Sequence, residues 1–359
     1  MHRERASSQF PGVARLTSVV VVIVGYRNAD DVADCLRALA ASAPQPSFAL
    51  FIAENGGAAG MDALIARLDA GDPAWRRDDA AAAPTMPLNA RRSRDYRLVR
   101  PDGGAGPALH VAEMDENLGY AGGVNAWLRP LLAIPGWDGV WVLNPDTQPA
   151  PDALAELVGY AERHDKGMVG SCIIHADRLD RVFTRGLEWS RIAARAQAID
   201  RGAELAIEPD ASTVEARLTA PTGASVYVTR RLIESIGLMD ERYFLYAEDL
   251  EWGDRARRLG MLGYAHRSRV PHKCGTTIGG TTTRAARSPL SVYLGVRNVI
   301  LYVKDKHPLW LPWTVIMQAV RLAVYGAVGS FANMAVGFEG LAAGLRGEVG
   351  RPDRFLRTH

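Results

Sequence analysis

Two short acidic stretches, well separated in the chain, hold the residue types best suited to chemistry. In Trp141-Val142-Leu143-Asn144-Pro145-Asp146-Thr147 an apolar run stops abruptly. It reads as a buried strand delivering Asp146 to its C-terminal end. In Tyr246-Ala247-Glu248-Asp249-Leu250-Glu251-Trp252 a cluster of acids opens a helix. A carboxylate at a strand end can hold a divalent cation on a diphosphate. A second carboxylate across a cleft can take a proton from an attacking hydroxyl. Mutual repulsion within the acidic cluster raises at least one pKa, while the helix N-terminus pulls the other way. Each stretch also has a local explanation. Asn144-Pro145 suits a type I turn, and acids are favoured at any helix start.

Positioning such groups takes a sheet. Val19–Val24 is a short apolar run that suits a buried parallel strand and is too short to span a bilayer. Val32, Cys35, Leu36 and Leu39 recur at helical spacing behind it. Phe48–Ala53 is a second strand, ending at the turn Glu54-Asn55-Gly56-Gly57. Leu109–Ala112, Val140–Leu143, Met168–Ile174 and Ala224–Thr229 are further strands, with helices at Gly122–Leu132, Pro151–Arg163 and Arg230–Ile236. Residues 176–215 include a hairpin. The alternation predicts an α/β protein with a mostly parallel central sheet covered on both faces. Residues 72–107, with an alanine run, prolines and clustered arginines, are expected to form a flexible surface insertion. From residue 288 onward the pattern is helical.

Four blocks, in this order, resemble the inverting family 2 glycosyltransferases of the GT-A fold, in particular their bacterial rhamnosyltransferase-like branch. They are Val19–Asn28; Glu116-Asn117-Leu118-Gly119-Tyr120-Ala121-Gly122-Gly123-Val124-Asn125; Leu143–Thr147; and Tyr243–Trp252 with Arg255 and Gly260 behind it. The resemblance implies a GT-A catalytic domain over residues 18–287, followed by a helical appendage over 288–359. It implies Asp249 as general base, with Glu248 as the fallback. Asp146 and His272 would hold Mg²⁺ or Mn²⁺. Gly25, Tyr26, Asn28, Glu54, Asn117, Gly122, Asn125 and Asn144 would line the nucleotide-sugar site. Two positions depart from the family pattern. Asn144 stands where an acid is usual, and Glu54 stands where an aspartate usually meets the pyrimidine. The implied donor is a dTDP- or UDP-linked sugar, with dTDP-rhamnose the leading expectation. The acceptor would be a hydroxyl of a glycan or lipid-linked molecule.

Composition sets outer bounds. At 359 residues the chain is long enough for one large α/β domain plus an appendage. A net charge of +2 implies no nucleic-acid partner. The cysteines Cys35, Cys172 and Cys274 show neither zinc nor disulfide spacing, which fits a reducing cytoplasm. The loop Thr276–Thr283, with Arg284 and Arg287, suits a lid over a diphosphate or an ordinary loop. Around Trp310 and Trp313 an apolar stretch is interrupted by Gln318 and Arg321. It suits either a helix lying peripherally on the cytoplasmic membrane face or a packing or dimer helix. Two rival functions remain at this stage. A sugar-phosphate nucleotidyltransferase would want a glycine-rich basic loop after the first strand, which Gly25-Tyr26-Arg27-Asn28 lacks. A catalytically silent glycan-binding or scaffold protein is kept open by Asn144.

Overall fold

The computed structural model describes residues 18–80, 83–273 and 287–355. The apolar run Val19–Gly25 is β1, with Phe48–Glu54 (β2) parallel to it. Ala29–Ala40 (α1) and Gly57–Leu68 (α2) follow these two strands. Then come β3 (Trp75–Arg77), β4 (Ala90–Val99), β5 (Ala105–Met114), α3 (Gly119–Leu132), β6 (Gly139–Leu143) and α4 (Ala153–Arg163). The next strands are β7 (Met168–His175), β8 (Arg178–Thr184), β9 (Leu187–Ser190) and β10 (Arg195–Ala198). They lead into α5 (Ala211–Arg217), β11 (Ser225–Thr229), α6 (Arg230–Ile236), α7 (Glu248–Arg258) and β12 (Leu262–His272). Three helices come after: α8 (Pro289–Lys306), α9 (Leu311–Ala327) and α10 (Phe331–Arg346).

One ten-stranded sheet runs in the order β12-β7-β11-β6-β1-β2-β5-β4-β3, with β8 paired to β7. Strands β1, β2, β3, β5, β6, β7 and β12 point one way, and β4, β8 and β11 run against them. Both faces are covered, which is why β1 is apolar at every position. Val20 and Val22 pack into the core with Trp127 of α3, while Val19, Val21 and Ile23 join Leu36 of α1 on the other face.

This topology gathers chain ends at one edge. Gly25, Glu54, Met114, Leu143 and His272 end β1, β2, β5, β6 and β12 there. The reversed β11 begins at the same edge, bringing Gly223 with it. Ligands of open α/β sheets bind in the crevice at such an edge.

The segment 72–107 differs from expectation. Its described part contains β3, β4 and the start of β5, paired in register at the sheet's end. The arginines that suggested a flexible excursion belong to a regular strand and are paired with acids on neighbouring elements. Arg97 pairs with Asp78 at 2.6 Å and Arg92 with Glu113 at 2.5 Å, while Tyr96 and Leu98 turn into the core. Charged side chains on a sheet-end strand are an expected guard against edge pairing.

Beyond residue 288 the described chain is helical, and α8 packs closely on α10 and bonds to the loop of residues 243–246. Gly340 and Gly344 let α10 approach the α8 backbone so closely that a Cβ would lie 2.5 Å from Tyr293 O and 2.8 Å from Arg297 O. Among the described residues, no helix is long and apolar enough to cross a membrane.

Candidate active site

Asp146 leaves β6 through a turn that is stitched to the end of β12. Gln148 N donates to Pro271 O at 2.9 Å, Lys273 N donates to Asp146 O at 3.0 Å, and Thr147 bridges to His272. Thr147 Oγ1 closes the turn on Asn144 O at 2.7 Å. Lys273 fastens the same strand end to α1 through Asp31 at 2.9 Å and Asp34 at 2.7 Å. The result places His272 Nε2 3.0 Å from Asp146 Oδ1, across 126 residues of chain. Both side chains are largely buried, at 7% and 12% exposure for Asp146 and His272.

This pair suits a divalent cation. Among the described residues no group of three or more His, Cys, Asp or Glu side chains could hold a metal. The protein therefore offers one carboxylate and one imidazole. That donor set fits a cation taking its other ligands from a diphosphate and water. The imidazole suits Mn²⁺ better than Mg²⁺.

Seven of the eight expected nucleotide-sugar residues lie at or just after the ends of β1, β2 and β6 or around the start of α3, and one is set apart by its contacts. Gly25 ends β1 where a Cβ would lie 2.6 Å from Glu54 Oε2. Glu54 is buried, and its Oε1 accepts from Arg27 N at 3.0 Å and Gly56 N at 2.7 Å. Burial raises the Glu54 pKa, and those two amides oppose the rise. Asn28 Oδ1 accepts from Tyr26 N at 2.9 Å, which sets the bend after β1. Asn117 Oδ1 accepts from Gly119 N at 2.9 Å. Gly122 is buried, where a Cβ would lie 2.8 Å from Leu118 Cβ. Asn144 is partly exposed at the end of β6. The exception is Asn125. It is fully buried, and its amide donates to Met239 O at 2.9 Å and Glu241 Oε1 at 2.7 Å. With its amide spent on those two acceptors, Asn125 ties α3 to the segment before α7 instead.

Glu248 and Asp249 open α7 after an irregular loop. Phe244, Tyr246 and Ala247 all have positive φ, at 63°, 71° and 71°. Such values are rare for side-chain-bearing residues and cluster at functional sites. The loop is clamped from beneath by Asn298 of α8, a fully buried amide whose Nδ2 lies 2.8 Å from the carbonyl oxygens of Tyr243, Leu245 and Tyr246. Arg297, also buried, adds a bond to Tyr243 O at 3.2 Å and reaches Gly350 O at 2.9 Å. From above, Tyr120 N donates to Phe244 O at 2.7 Å. Gly119, at φ 72°, is the residue that permits this approach, since a Cβ there would collide with the Phe244 carbonyl.

Tyr120 connects the parts. Its hydroxyl donates to Gly223 O at 2.6 Å, and Gly223 N donates to Asp249 Oδ2 at 3.1 Å. Burial raises the Tyr120 pKa well above its usual value, and the charges of Glu248, Asp249 and Asp146 push it the same way. Both acidic stretches are thus within electrostatic reach of one phenol. Burial, and then the charge of Asp249, pushes Glu248 up to about 8. Its Oε2 is buried with no hydrogen-bond partner among the described residues. Asp249 is also raised by burial, but the amides of Gly223 and Leu250 oppose the rise. Glu248 is the more buried of the two and Asp249 accepts the Gly223 amide, so of the pair Glu248 holds a proton more readily.

Tyr120, Gly223 and Asn298 were missed in the sequence. The signals were a tyrosine set among the glycines 119, 122 and 123, and an Arg297-Asn298 pair inside an otherwise apolar helix. Cys274 and the Thr276–Thr283 loop with Arg284 lie outside the described residues.

No protein-family model matches the chain. It is 26% identical over 230 residues to the N-acetylglucosaminyl-diphospho-decaprenol L-rhamnosyltransferase of two Mycobacterium tuberculosis strains, a match covering 58% of this chain and 72% of the relative. Among solved structures, a mannosyltransferase from Pyrobaculum calidifontis in complex with GDP-Man and Mn²⁺ superposes with a TM-score of 0.50 at 15% identity, over 92% of this chain and 81% of that one. GalNAc-T7 with UDP, GalNAc and Mn²⁺ gives 0.52 at 12% identity, over 82% and 50%. These structures share the architecture. The fold is thus that of GT-A glycosyltransferases, and in sequence the chain is similar to a rhamnosyltransferase.

Proposed function

We propose that this glycosyltransferase moves a sugar, with inversion, from a nucleotide-diphosphate donor to a hydroxyl of a glycan or lipid-linked acceptor. The observation that carries the reading is an Asp146–His272 donor set at a strand edge together with Asp249 at a helix start, where Tyr120 and Gly223 hold Asp249 and Tyr120 feels the charge of Asp146. The nucleotide lies along the ends of β1, β2 and β6, against Gly25, Tyr26, Asn28, Glu54 and Asn144. Asn117 and Gly122 shape the α3 start that flanks it. Asp146 and His272 would hold Mg²⁺ or Mn²⁺, which when bound offsets charge on the leaving diphosphate. Asp249 takes the proton from the acceptor hydroxyl. Its raised pKa makes it a stronger base than an ordinary aspartate. Glu248, protonated beside it, spares Asp249 a second negative neighbour. The likeness to rhamnosyltransferases supports rhamnose as the donor sugar and dTDP as its carrier.

Release of nucleoside diphosphate across a panel of nucleotide-sugars, with Mg²⁺, Mn²⁺ or EDTA, tests this reading. Turnover of dTDP-rhamnose above other donors is expected. No turnover of any donor under any metal condition, by a protein that still binds glycans, would return the chain to the silent-scaffold reading.

The relative's name places its acceptor on a lipid diphosphate. A peripheral seat on the cytoplasmic membrane face fits that chemistry here. Leu309 is 94% exposed, and Trp313, Ile316 and Val320 continue an apolar stripe along the outward face of α9. Flotation with liposomes checks the seat; full-length protein that stays at the bottom of the gradient and elutes as a dimer would assign the stripe to subunit packing.

A further inference from the structure

Between the β9–β10 hairpin and helices α8 and α9 lies a cavity of about 430 Å³. Four of its lining side chains are arginines: Arg195, Arg201, Arg287 and Arg321. None of its described lining residues is acidic. The whole protein carries only +2, so this is a strong local concentration of positive charge. Two of the arginines are held in place. Arg321 donates to the carbonyls of Ala193 and Ala194, and Arg201 stacks over the Phe183 ring at 4.7 Å. The opposite wall is apolar, formed by Val296, Leu322 and Tyr325.

Two features fix the cavity's relation to the rest of the molecule. At one end Ser291 lines it, and Ser291 Oγ lies 3.0 Å from the hydroxyl of Tyr246, on the irregular loop just before Glu248 and Asp249. Burial raises the Tyr246 pKa, and the charge of Arg287 is among the influences that oppose the rise. At the other end the hairpin tip exposes Ile192, whose carbonyl accepts from Trp313 Nε1 at 2.9 Å. Trp313 belongs to the apolar stripe of α9. The cavity therefore shares Ser291 with a contact to the loop that carries the base, and through Arg321 it adjoins the hairpin tip that exposes Ile192.

We infer that this cavity seats the acceptor, and that its ligand is a prenyl-type lipid diphosphate: the arginines take the phosphates, and the apolar wall and rim take the first isoprene units. Guanidinium groups bind phosphate oxygens through paired, charge-assisted hydrogen bonds. The dimensions fit a diphosphate with a short length of chain. A sugar on the far side of the diphosphate would then point toward Tyr246 and Asp249. The inference rests on the transfer reading above, because it takes the donor nucleotide to occupy the sheet edge and not this cavity.

The test titrates full-length protein with farnesyl diphosphate, inorganic pyrophosphate and dTDP, below the micelle-forming concentration of the lipid. Wild type is expected to bind farnesyl diphosphate more tightly than pyrophosphate, and dTDP should not displace it. Arg195→Ala and Arg201→Ala should each weaken farnesyl diphosphate binding roughly tenfold, from the typical strength of a charge-assisted hydrogen bond. Unchanged thermal unfolding and dTDP affinity in both variants would show that the fold and the sheet edge are intact. Binding of farnesyl diphosphate that survives both substitutions, or displacement by dTDP, overturns the assignment. Pyrophosphate binding as tight as that of the lipid overturns its lipid part. A wild type that binds farnesyl diphosphate through these arginines but no nucleotide sinks the transfer reading and leaves the cavity as a lipid-diphosphate site.

Discussion

The two sides of the proposed site are built on different principles. The metal and nucleotide side is an edge of strand ends. Gly25 and Glu54 end the parallel strands β1 and β2, Asp146 leaves β6 and His272 ends β12, and backbone bonds between the turn after β6 and the end of β12 bring the last two together. The base side is a loop, with Phe244, Tyr246 and Ala247 in left-handed backbone. It has no regular structure of its own and is held by a buried amide on α8. One side inherits its geometry from the sheet; the other has to be clamped. The sheet-borne side should therefore tolerate changes around it, whereas the loop-borne side should fail when its clamp is cut.

The largest effect is expected at the base. Asp249→Asn keeps the shape and the contact to Gly223 but removes the proton acceptor, so transfer should fall by roughly 10²–10⁴. Steady-state assay of the purified variant measures it, and near-normal turnover would move the role to Glu248. Next comes the clamp. Asn298→Ala leaves the carbonyls of Tyr243, Leu245 and Tyr246 buried without their shared donor. That should destabilise the protein by about 1–3 kcal/mol. The displaced loop should lower kcat by roughly a hundredfold, in line with the cost of small misplacements near reacting groups. Denaturant unfolding and kinetics on the same sample separate the two. A variant that is destabilised yet fully active would mean the loop does not need its left-handed shape.

A smaller effect concerns Glu248. Its pKa in the folded protein, about 8, lies above the ordinary 4.5. Between those values the folded state keeps a proton that the unfolded state has lost. Stability therefore falls as pH rises through that window. Glu248→Gln removes this fall, so the variant's advantage in melting temperature should grow from pH 5 to pH 8. Parallel melting curves for the two proteins across that range would show that Glu248 titrates normally.

The same contrast explains what the sequence disclosed. The sheet side was legible because each part announces itself locally: β1 is an unbroken apolar run, β6 ends at Asn144-Pro145-Asp146, and His272 follows Val270-Pro271. What joins Asp146 to His272 is the turn after β6, which bonds to the end of β12, and both of those strand ends were marked by a proline. The β4 strand was misjudged because its apolar residues are sparse. Only Tyr96 and Leu98 are fully buried in it, and its arginines find acids that are distant in sequence. Asn125 was misplaced because a buried amide and a ligand-binding amide look alike until burial is known. The clamp was invisible for a stronger reason. Asn298 acts on residues 52 to 55 positions away, through backbone carbonyls that carry no sequence signal. The helical appendage is tied to that clamp through Gly340, Gly344 and Gly350.

The central claim is that nucleotide binding and proton removal belong to separate sides of one site. Calorimetric titration of dTDP, with Mn²⁺ and with EDTA, on wild type, Asp146→Ala and Asp249→Asn tests it most directly when paired with a transfer assay on the same three proteins. The account predicts that Asp146→Ala loses the metal-dependent part of dTDP binding while Asp249→Asn binds like wild type and turns over almost nothing. Equal, metal-independent dTDP binding by wild type and Asp146→Ala, or wild-type turnover by Asp249→Asn, would contradict it.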